Sequence, residues 1–261
     1  METHLEKIDE KTEKSKLITW GPLTAIVAVL VIYLLTQLIA AFLIEIYPAI
    51  KHWNTTQASQ WINNSVAAEF WVTVIIEGLT LYFLYLFLKR RHSNFSSIGL
   101  KKHPKLSILL WIAAGFVVYL FTYYFVLLLV IRAVPSFNVA QKQDIGFSTT
   151  TAGSGLWLIF ISLVVLPPIV EEILFRGFLY SGLRTKIPKI SAAIITSLIF
   201  ASFHLLESSS GILWVAGLDT FILSLVLVSL RELTDSLYAS MGVHMLKNFL
   251  AFATLFLFHL S

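Results

Sequence analysis

Six polar residues in the second half of the chain have the types and spacing that hydrolytic chemistry requires. They are Glu171, Glu172, Arg176, His204, His244 and Asn248. A carboxylate beside an imidazole can take a proton from water and hold the resulting nucleophile in place, which is general-base catalysis. Two histidines with carboxylates can alternatively hold zinc, whose bound water has a pKa lowered to about 7. Both routes lead to hydrolysis, and the residues alone leave the choice between them open.

Several familiar hydrolase classes are excluded. The sequence contains neither H-E-x-x-H nor G-x-S-x-G, so it has neither the zinc-binding motif of ordinary zincins nor the nucleophile elbow of α/β-hydrolases. It also contains no cysteine, which excludes thiolate nucleophiles and disulfides. These exclusions leave both routes described above open, and neither needs a serine or cysteine nucleophile.

The two adjacent glutamates are predicted to have different roles. Arg176 follows Glu172 by four residues, which places both on one face of a helix and predicts an ion pair. Glu171 points about 100° away around the helix and is therefore available for chemistry. A charged group at the centre of a bilayer costs about 2.5–3.5 kcal/mol, so such groups face the protein interior and usually mark function.

Two prolines interrupt the helix that carries these glutamates. Pro167 and Pro168 lack an N–H, so the carbonyls of Leu163 and Val164 lose their helical partners. A new helix that starts near Pro168 would place the glutamates at its N-terminal end, where the helix dipole favours negative charge. Backbone that is broken at membrane depth must be satisfied by protein or by a water-filled cavity. We therefore predict a wet cavity at this position.

The elements that must position these residues are membrane-spanning helices. Of the 261 residues, 57% are hydrophobic and 13% charged, with a mean hydropathy of +0.80, whereas soluble domains carry about 25% charged residues. The sequence predicts an all-α, polytopic membrane helix bundle: a charged cytoplasmic tail at 1–16 and a single transmembrane domain at 17–260. A span needs about 20 mostly apolar residues. The seven predicted spans cover 18–46, 66–88, 106–133, 155–183, 190–206, 212–231 and 236–259, and a break at the prolines would make eight.

The distribution of basic residues predicts the orientation. With the N-terminus inside, the inner segments hold fourteen lysines and arginines and the outer segments hold three. This positive-inside bias predicts a cytoplasmic N-terminus in a multi-pass protein of the cell membrane. The net charge of +4 is explained by these loops, so no nucleic-acid partner is expected. The expected partners are membrane lipids and a membrane-bound peptide or protein, and the oligomeric state stays open.

Depth within the spans predicts that the polar residues meet. At 1.5 Å per residue from the inner ends, Glu171 and His204 lie roughly 20 Å deep, Asn248 roughly 18 Å and His244 roughly 12 Å. His244 and Asn248 share a helical face because they are four residues apart. Two further acids lie within spans without a motif around them, Glu77 and Asp219, and the latter could pair with Lys247.

Three stretches of the chain resemble one known family. PPIVEEILFRGFLYSGL, FASFH and HMLKN occur in the order of the E-E-x-x-x-R, F-x-x-x-H and H-x-x-x-N motifs of the CPBP family. This family contains the CAAX-prenyl endopeptidases and the bacteriocin-processing or immunity proteins, also called Abi proteins. The resemblance covers roughly 155–255 and implies a multi-helix membrane bundle with a conical cavity that holds the motif residues.

The resemblance also implies roles for individual residues. Glu171 would activate water together with His204, while His244 and Asn248 would form an oxyanion site. Glu172 and Arg176 would support them. Family members are described as metalloproteases, but metal-free mechanisms have also been argued. If zinc is present, the resemblance and the residue types suggest Glu171, His204 and His244 as its ligands.

One segment departs from the family pattern. Where the family usually has T-G-S-L-W, this chain has Thr234-Asp235-Ser236-Leu237-Tyr238. The departure concerns substrate contacts near the inner mouth more than the catalytic groups. The sequence thus predicts an intramembrane endopeptidase acting on a membrane-associated or lipidated peptide. The alternatives are a non-catalytic immunity or regulatory membrane protein of the same fold and, more distantly, a proton-coupled carrier.

Overall fold

A computed structural model describes residues 18–101, 106–141, 143–205 and 211–259. The charged tail predicted at 1–16 lies outside the described residues. Within these ranges the regular structure is entirely helical. The α-helices are α1 (Pro22–Ile44), α2 (Ile46–Ile50), α3 (Thr55–Asn64), α4 (Val66–Arg90), α5 (Ile108–Ala133), α6 (Gly155–Phe160), α7 (Leu166–Glu171), α8 (Tyr180–Arg184), α9 (Lys189–His204), α10 (Trp214–Thr234) and α11 (Tyr238–Phe252).

The predicted polytopic helix bundle is confirmed. Among the described residues, six helical segments are long and apolar enough to cross a membrane. They are Pro22–Ile50, Val66–Arg90, Ile108–Ala133, Gly155–Arg184, Trp214–Thr234 and Tyr238–Leu257. The fifth predicted span, 190–206, is present as α9, which has only 16 residues and is short for a complete crossing. The orientation of the N-terminus stays a prediction.

The segment with the prolines does not divide into two spans. Gly155–Arg184, called the glutamate helix below, remains helical throughout, so the eighth span is not formed. Before the prolines the helix widens into a π-helical stretch, Ile161–Val165, in which the Leu166 N–H donates to the carbonyl of Ile161 five residues earlier. A second π-helical stretch, Glu172–Leu179, follows α7. Such wider turns accommodate local disruption and occur often at functional sites.

This outcome corrects one prediction from the sequence. Pro167 and Pro168 follow the first residue of α7, and the π-helical stretch before α7 runs into it without a break. Glu171 is the last residue of α7 and Glu172 the first of the following π-helical stretch. The glutamates therefore do not lie at the start of a new helix, and a favourable N-terminal dipole does not account for their charge.

The glutamate helix lies at the centre of the bundle. It contacts α1, α4, α9, α10 and α11. Half of the residues in its apolar 18-residue stretch are buried, compared with 11% in the corresponding stretch of α5, so α5 is peripheral. This placement surrounds the two glutamates with other helices on most sides.

Close packing holds the C-terminal end of the glutamate helix. Trp20 stacks on Phe178 with 5.0 Å between the ring centroids, and its indole N–H donates to the Phe178 carbonyl at 3.4 Å. At Gly182, an added Cβ would lie 2.6 Å from the Cβ of Ala25. The absence of a side chain at Gly182 therefore allows α1 to approach this closely.

The departure from the family pattern at Asp235 has a structural role. Asp235 ends α10 in the left-handed conformation, with a φ of 51°. Glycine adopts this conformation most easily, but aspartate tolerates it better than most residues. The Asp235 carboxylate pairs with Lys101 Nζ at 2.7 Å and with Arg231 Nη1 at 3.2 Å, and the Tyr238 hydroxyl donates to the Lys101 carbonyl. These contacts attach the chain around Lys101 to the start of α11.

Candidate active site

A buried ion pair forms the base of the site. Arg176 Nη1 lies 2.8 Å from Glu172 Oε1, and both side chains have 0% exposure. The guanidinium also lies over the ring of Phe200, with 4.2 Å between Cζ and the centroid. The structure thus makes the contact predicted from the spacing of Glu172 and Arg176. The carboxylate compensates the charge of an arginine that has no access to solvent.

His244 lies between the two glutamates. Its Nδ1 is 3.2 Å from Glu172 Oε1, and its Nε2 is 3.6 Å from Glu171 Oε2. The adjacent glutamates therefore approach opposite nitrogens of one imidazole, which is itself only 3% exposed. Because a carboxylate accepts hydrogen bonds, Glu172 favours a proton on Nδ1 and fixes the orientation of the ring.

The orientation of His204 follows from a backbone contact. Its Nδ1 lies 3.0 Å from the carbonyl oxygen of Phe200, one helical turn earlier in α9. A carbonyl can only accept a hydrogen bond, so Nδ1 carries the hydrogen and Nε2 is the basic nitrogen of the neutral ring. The imidazole also packs on the ring of Phe200, with centroids 4.6 Å apart.

Asn248 satisfies part of the backbone that the prolines disrupt. Its side-chain Nδ2 donates to the carbonyl of Leu163 at 2.8 Å. This is one of the two carbonyls predicted to lose their helical partners. The contact uses one of the two N–H groups on Nδ2 and thereby orients the amide. The sequence predicted both the unsatisfied carbonyl and the functional asparagine, but not that they meet.

The four residues assigned to catalysis line one cavity. Glu171, His204, His244 and Asn248 contribute to the wall of a space of about 230 Å³. Glu171 is 26% exposed, in contrast to Glu172, which is completely buried. A polar cavity of this size has room for several water molecules. The structure therefore contains a cavity at the position that the proline break predicted, and its filling with water stays a prediction.

A second charged group reaches this cavity from the side. Lys247 lines the wall, and its Nζ lies 3.3 Å from Asp219 Oδ2. The Tyr119 hydroxyl donates to the other oxygen of Asp219. The pairing of Asp219 with Lys247 was predicted as one option from the sequence. Tyr119 was missed, because a single tyrosine in an apolar span gives no signal.

Glu171, His204 and His244 are the three zinc ligands suggested by the sequence. Within the described ranges, no group of three histidine, aspartate or glutamate side chains is placed to hold a metal ion. The Nδ1 atoms of His244 and His204 face Glu172 and a backbone carbonyl, respectively, so a metal could be bound only through Nε2 of each ring. The ligand set as placed does not fit a zinc site of three protein ligands. Zinc-dependent and metal-free catalysis both stay alternatives drawn from the sequence.

The sequence around this cavity matches a known family. Residues 153–250 match the model described as "Rce1-like: Type II CAAX prenyl endopeptidase Rce1-like". This segment is similar to that family. The match contains all six polar residues of the site and confirms the resemblance drawn from the three motifs. No match is found among curated proteins or among solved structures. Together with the six apolar helices, the similarity indicates a membrane protein of the protease class.

Proposed function

We propose that this protein is an intramembrane endopeptidase that hydrolyses a peptide bond of a membrane-associated or lipidated peptide. The observation that carries the proposal is the convergence of Glu171, His204, His244 and Asn248 on one cavity between the helices. The similarity of residues 153–250 to type II CAAX prenyl endopeptidases supports this type of reaction. A prenylated peptide is therefore the substrate to test first.

In the proposed reaction, Glu171 and His204 activate water. Both residues line the cavity, and Nε2 of His204 is the basic nitrogen of its ring. A water molecule held between the Glu171 carboxylate and this nitrogen loses a proton as its oxygen attacks the peptide carbonyl carbon. A tetrahedral intermediate with a negatively charged oxygen results. Glu171, which accepted the proton of the water, then passes it to the leaving nitrogen as the C–N bond breaks, which gives one carboxylic acid and one amine.

The intermediate is stabilised from the α11 side of the cavity. Asn248 has a second N–H on Nδ2 besides the one given to Leu163, and His244 presents its Nε2. His244 gives its Nδ1–H to Glu172, so its Nε2 donates to the oxyanion only while it also carries a proton. Donors held in place before the reaction stabilise an oxyanion without reorganisation. Glu172 and Arg176 act as positioning residues in this scheme, because they orient the imidazole and do not reach the substrate.

The setting of the reaction follows from the bundle. The substrate reaches the cavity from the membrane, so lipid and a membrane-bound peptide are the proposed partners, in the cell membrane. The fourteen inner basic residues serve the orientation of the helices, and no nucleic acid takes part.

The proposed reaction proceeds without a metal ion. Its steps use only side chains of this chain, and the described residues do not gather three metal ligands. We therefore expect the purified protein to retain its full cleavage rate after incubation with 1,10-phenanthroline or EDTA. The control is a zinc protease treated in parallel in the same detergent. Activity that is lost with the chelator and restored by added zinc would show that the metal-free scheme is wrong.

The experiment that tests the proposed function compares peptide termini in cell membranes. Membranes that carry the wild-type protein are compared with membranes that carry Glu171→Gln at equal abundance. New termini present only with the wild type are expected, and they would also name the substrate. Identical termini, combined with a cellular phenotype that Glu171→Gln retains, would instead indicate a non-catalytic immunity or regulatory protein.

A further inference from the structure

Glu77 is an acidic residue at membrane depth that the proposed reaction does not use. It lies near the middle of α4, 11 residues from Val66 and 13 from Arg90. Within the described ranges it makes neither a hydrogen bond nor an ion pair. Glu172 and Asp219, by contrast, pair with Arg176 and Lys247. A carboxylate without a fixed cation in a spanning helix is costly and calls for a functional explanation.

Glu77 lines a second cavity that adjoins the candidate active site. This cavity has a volume of about 170 Å³ and lies between α1, α4, the glutamate helix and α9. Glu171 and His204 line both this cavity and the first one. These two residues therefore form the boundary between the two spaces. A group bound beside Glu77 would lie next to the residues that activate water.

The walls of the second cavity suit a positively charged group. Besides Glu77, they include the rings of Tyr33 and Phe203, whose centroids are 4.3 Å apart, and the polar side chains of Gln37 and Thr80. Aromatic faces attract cations, and a carboxylate forms its strongest hydrogen bonds with ammonium or guanidinium groups. Among the described residues that line this wall, none is a lysine or an arginine. The cavity wall thus provides a carboxylate and aromatic rings that can bind a cation, and the cation would come from a ligand.

We propose that the second cavity is a specificity pocket for a lysine or arginine side chain of the substrate, close to the scissile bond. The proposal rests on the proposed function, because it assigns part of the same substrate. When the scissile carbonyl faces Glu171 from the first cavity, a neighbouring side chain is within reach of the second. Glu77 then pairs with the basic group. Specificity arises because a substrate without a cation leaves the Glu77 charge uncompensated.

The test uses farnesylated peptides that end three residues after the modified cysteine. One set carries a single lysine at successive positions on either side of the cysteine, and a matched set carries norleucine at the same positions. The purified protein is compared with Glu77→Gln and with Glu69→Gln. The Glu69 change removes an acid from the same helix α4 but lies outside both cavities, so it controls for the loss of charge alone.

At one lysine position we expect kcat/KM of the wild type to exceed that for norleucine by about tenfold or more, the size of one good charged contact. Glu77→Gln is expected to abolish this ratio, and Glu69→Gln to preserve it. A ratio that survives in Glu77→Gln overturns the proposal. An equal loss of rate for both peptides in Glu77→Gln also overturns it, because Glu77 would then act on water or on the fold.

A binding measurement distinguishes failure of the specificity pocket from failure of the proposed function. The same farnesylated peptides, now carrying a fluorescent label, are titrated against Glu171→Gln protein with and without the additional Glu77→Gln change. Preferential binding of a lysine peptide that requires Glu77, without any cleavage by the wild type, would support the pocket and contradict the endopeptidase. Equal binding of the two peptide sets, with equal cleavage or with none, would contradict the pocket.

Discussion

Glu172→Leu is expected to lower the free energy of unfolding by about 3–5 kcal/mol, because it leaves a buried arginine charge without compensation. Arg176 has 0% exposure, and its nearest anionic atom is Glu172 Oε1 at 2.8 Å. The other group over the guanidinium is the ring of Phe200, which cannot replace a carboxylate. The measurement is thermal or denaturant unfolding of the purified protein in detergent, with the wild type alongside.

A double variant provides the control for this prediction. Glu172→Leu combined with Arg176→Met removes both charges and is expected to recover most of the lost stability, since apolar residues often replace buried ion pairs without cost. The double variant should nevertheless cleave poorly, because His244 loses the partner of its Nδ1. If the single and double variants are equally unstable, the uncompensated charge of Arg176 is not the cause of the lower free energy of unfolding.

Asn248→Ala is expected to lower kcat by about 10²–10³-fold with little change in KM, the usual effect of removing one oxyanion donor. The same change leaves the Leu163 carbonyl without the partner now found at 2.8 Å, so a loss of about 1–3 kcal/mol in stability should accompany it. Rates are therefore normalised to the folded fraction. Steady-state kinetics with a farnesylated peptide provides both constants.

Leu246→Ala is a suitable comparison for Asn248→Ala. It truncates an exposed side chain on the same helix, two residues away, and is expected to leave kcat unchanged. A rise in KM at constant kcat in Asn248→Ala would mean that Asn248 binds the substrate and the transition state equally. That result would remove Asn248 from the oxyanion site.

Much of the helix bundle could be predicted because apolar length is readable in the sequence. Each of the seven predicted spans corresponds to a helix, and the predicted short fifth span is the 16-residue α9. The helix α3 was not predicted, although Asn54 and Gln57 form the capping box that marks its start. That signal was available in the sequence and could have identified the element.

The path of the backbone at the prolines could not be predicted. The two prolines predicted a break after Leu163. Contacts with other parts of the protein instead keep the segment helical. A π-helical stretch at Ile161–Val165 and the amide of Asn248 together allow the helix to continue. Asn248 is 85 residues away along the chain. Contacts of that separation depend on how helices pack, which local spacing does not determine.

The candidate active site also has features that the sequence predicted and features that it did not. The spacing of Glu172 and Arg176 predicted their ion pair, and the motif order indicated the family. The sequence did not reveal that both glutamates approach one imidazole, His244, or that Glu77 shares a cavity wall with Glu171. These relations depend on the rotation of each helix about its axis, and nearly uniform hydrophobicity around membrane helices conceals that rotation.

The most direct test of the account is the rate at which purified Glu171→Gln cleaves a farnesylated peptide, compared with wild type at equal folded concentration. The substitution keeps the shape and removes the base. The account predicts a loss of about 10²–10⁴-fold, the contribution of a positioned general base, with an unfolding temperature close to that of the wild type. Cleavage at the wild-type rate by the folded variant would contradict the assignment of Glu171 as the group that activates water.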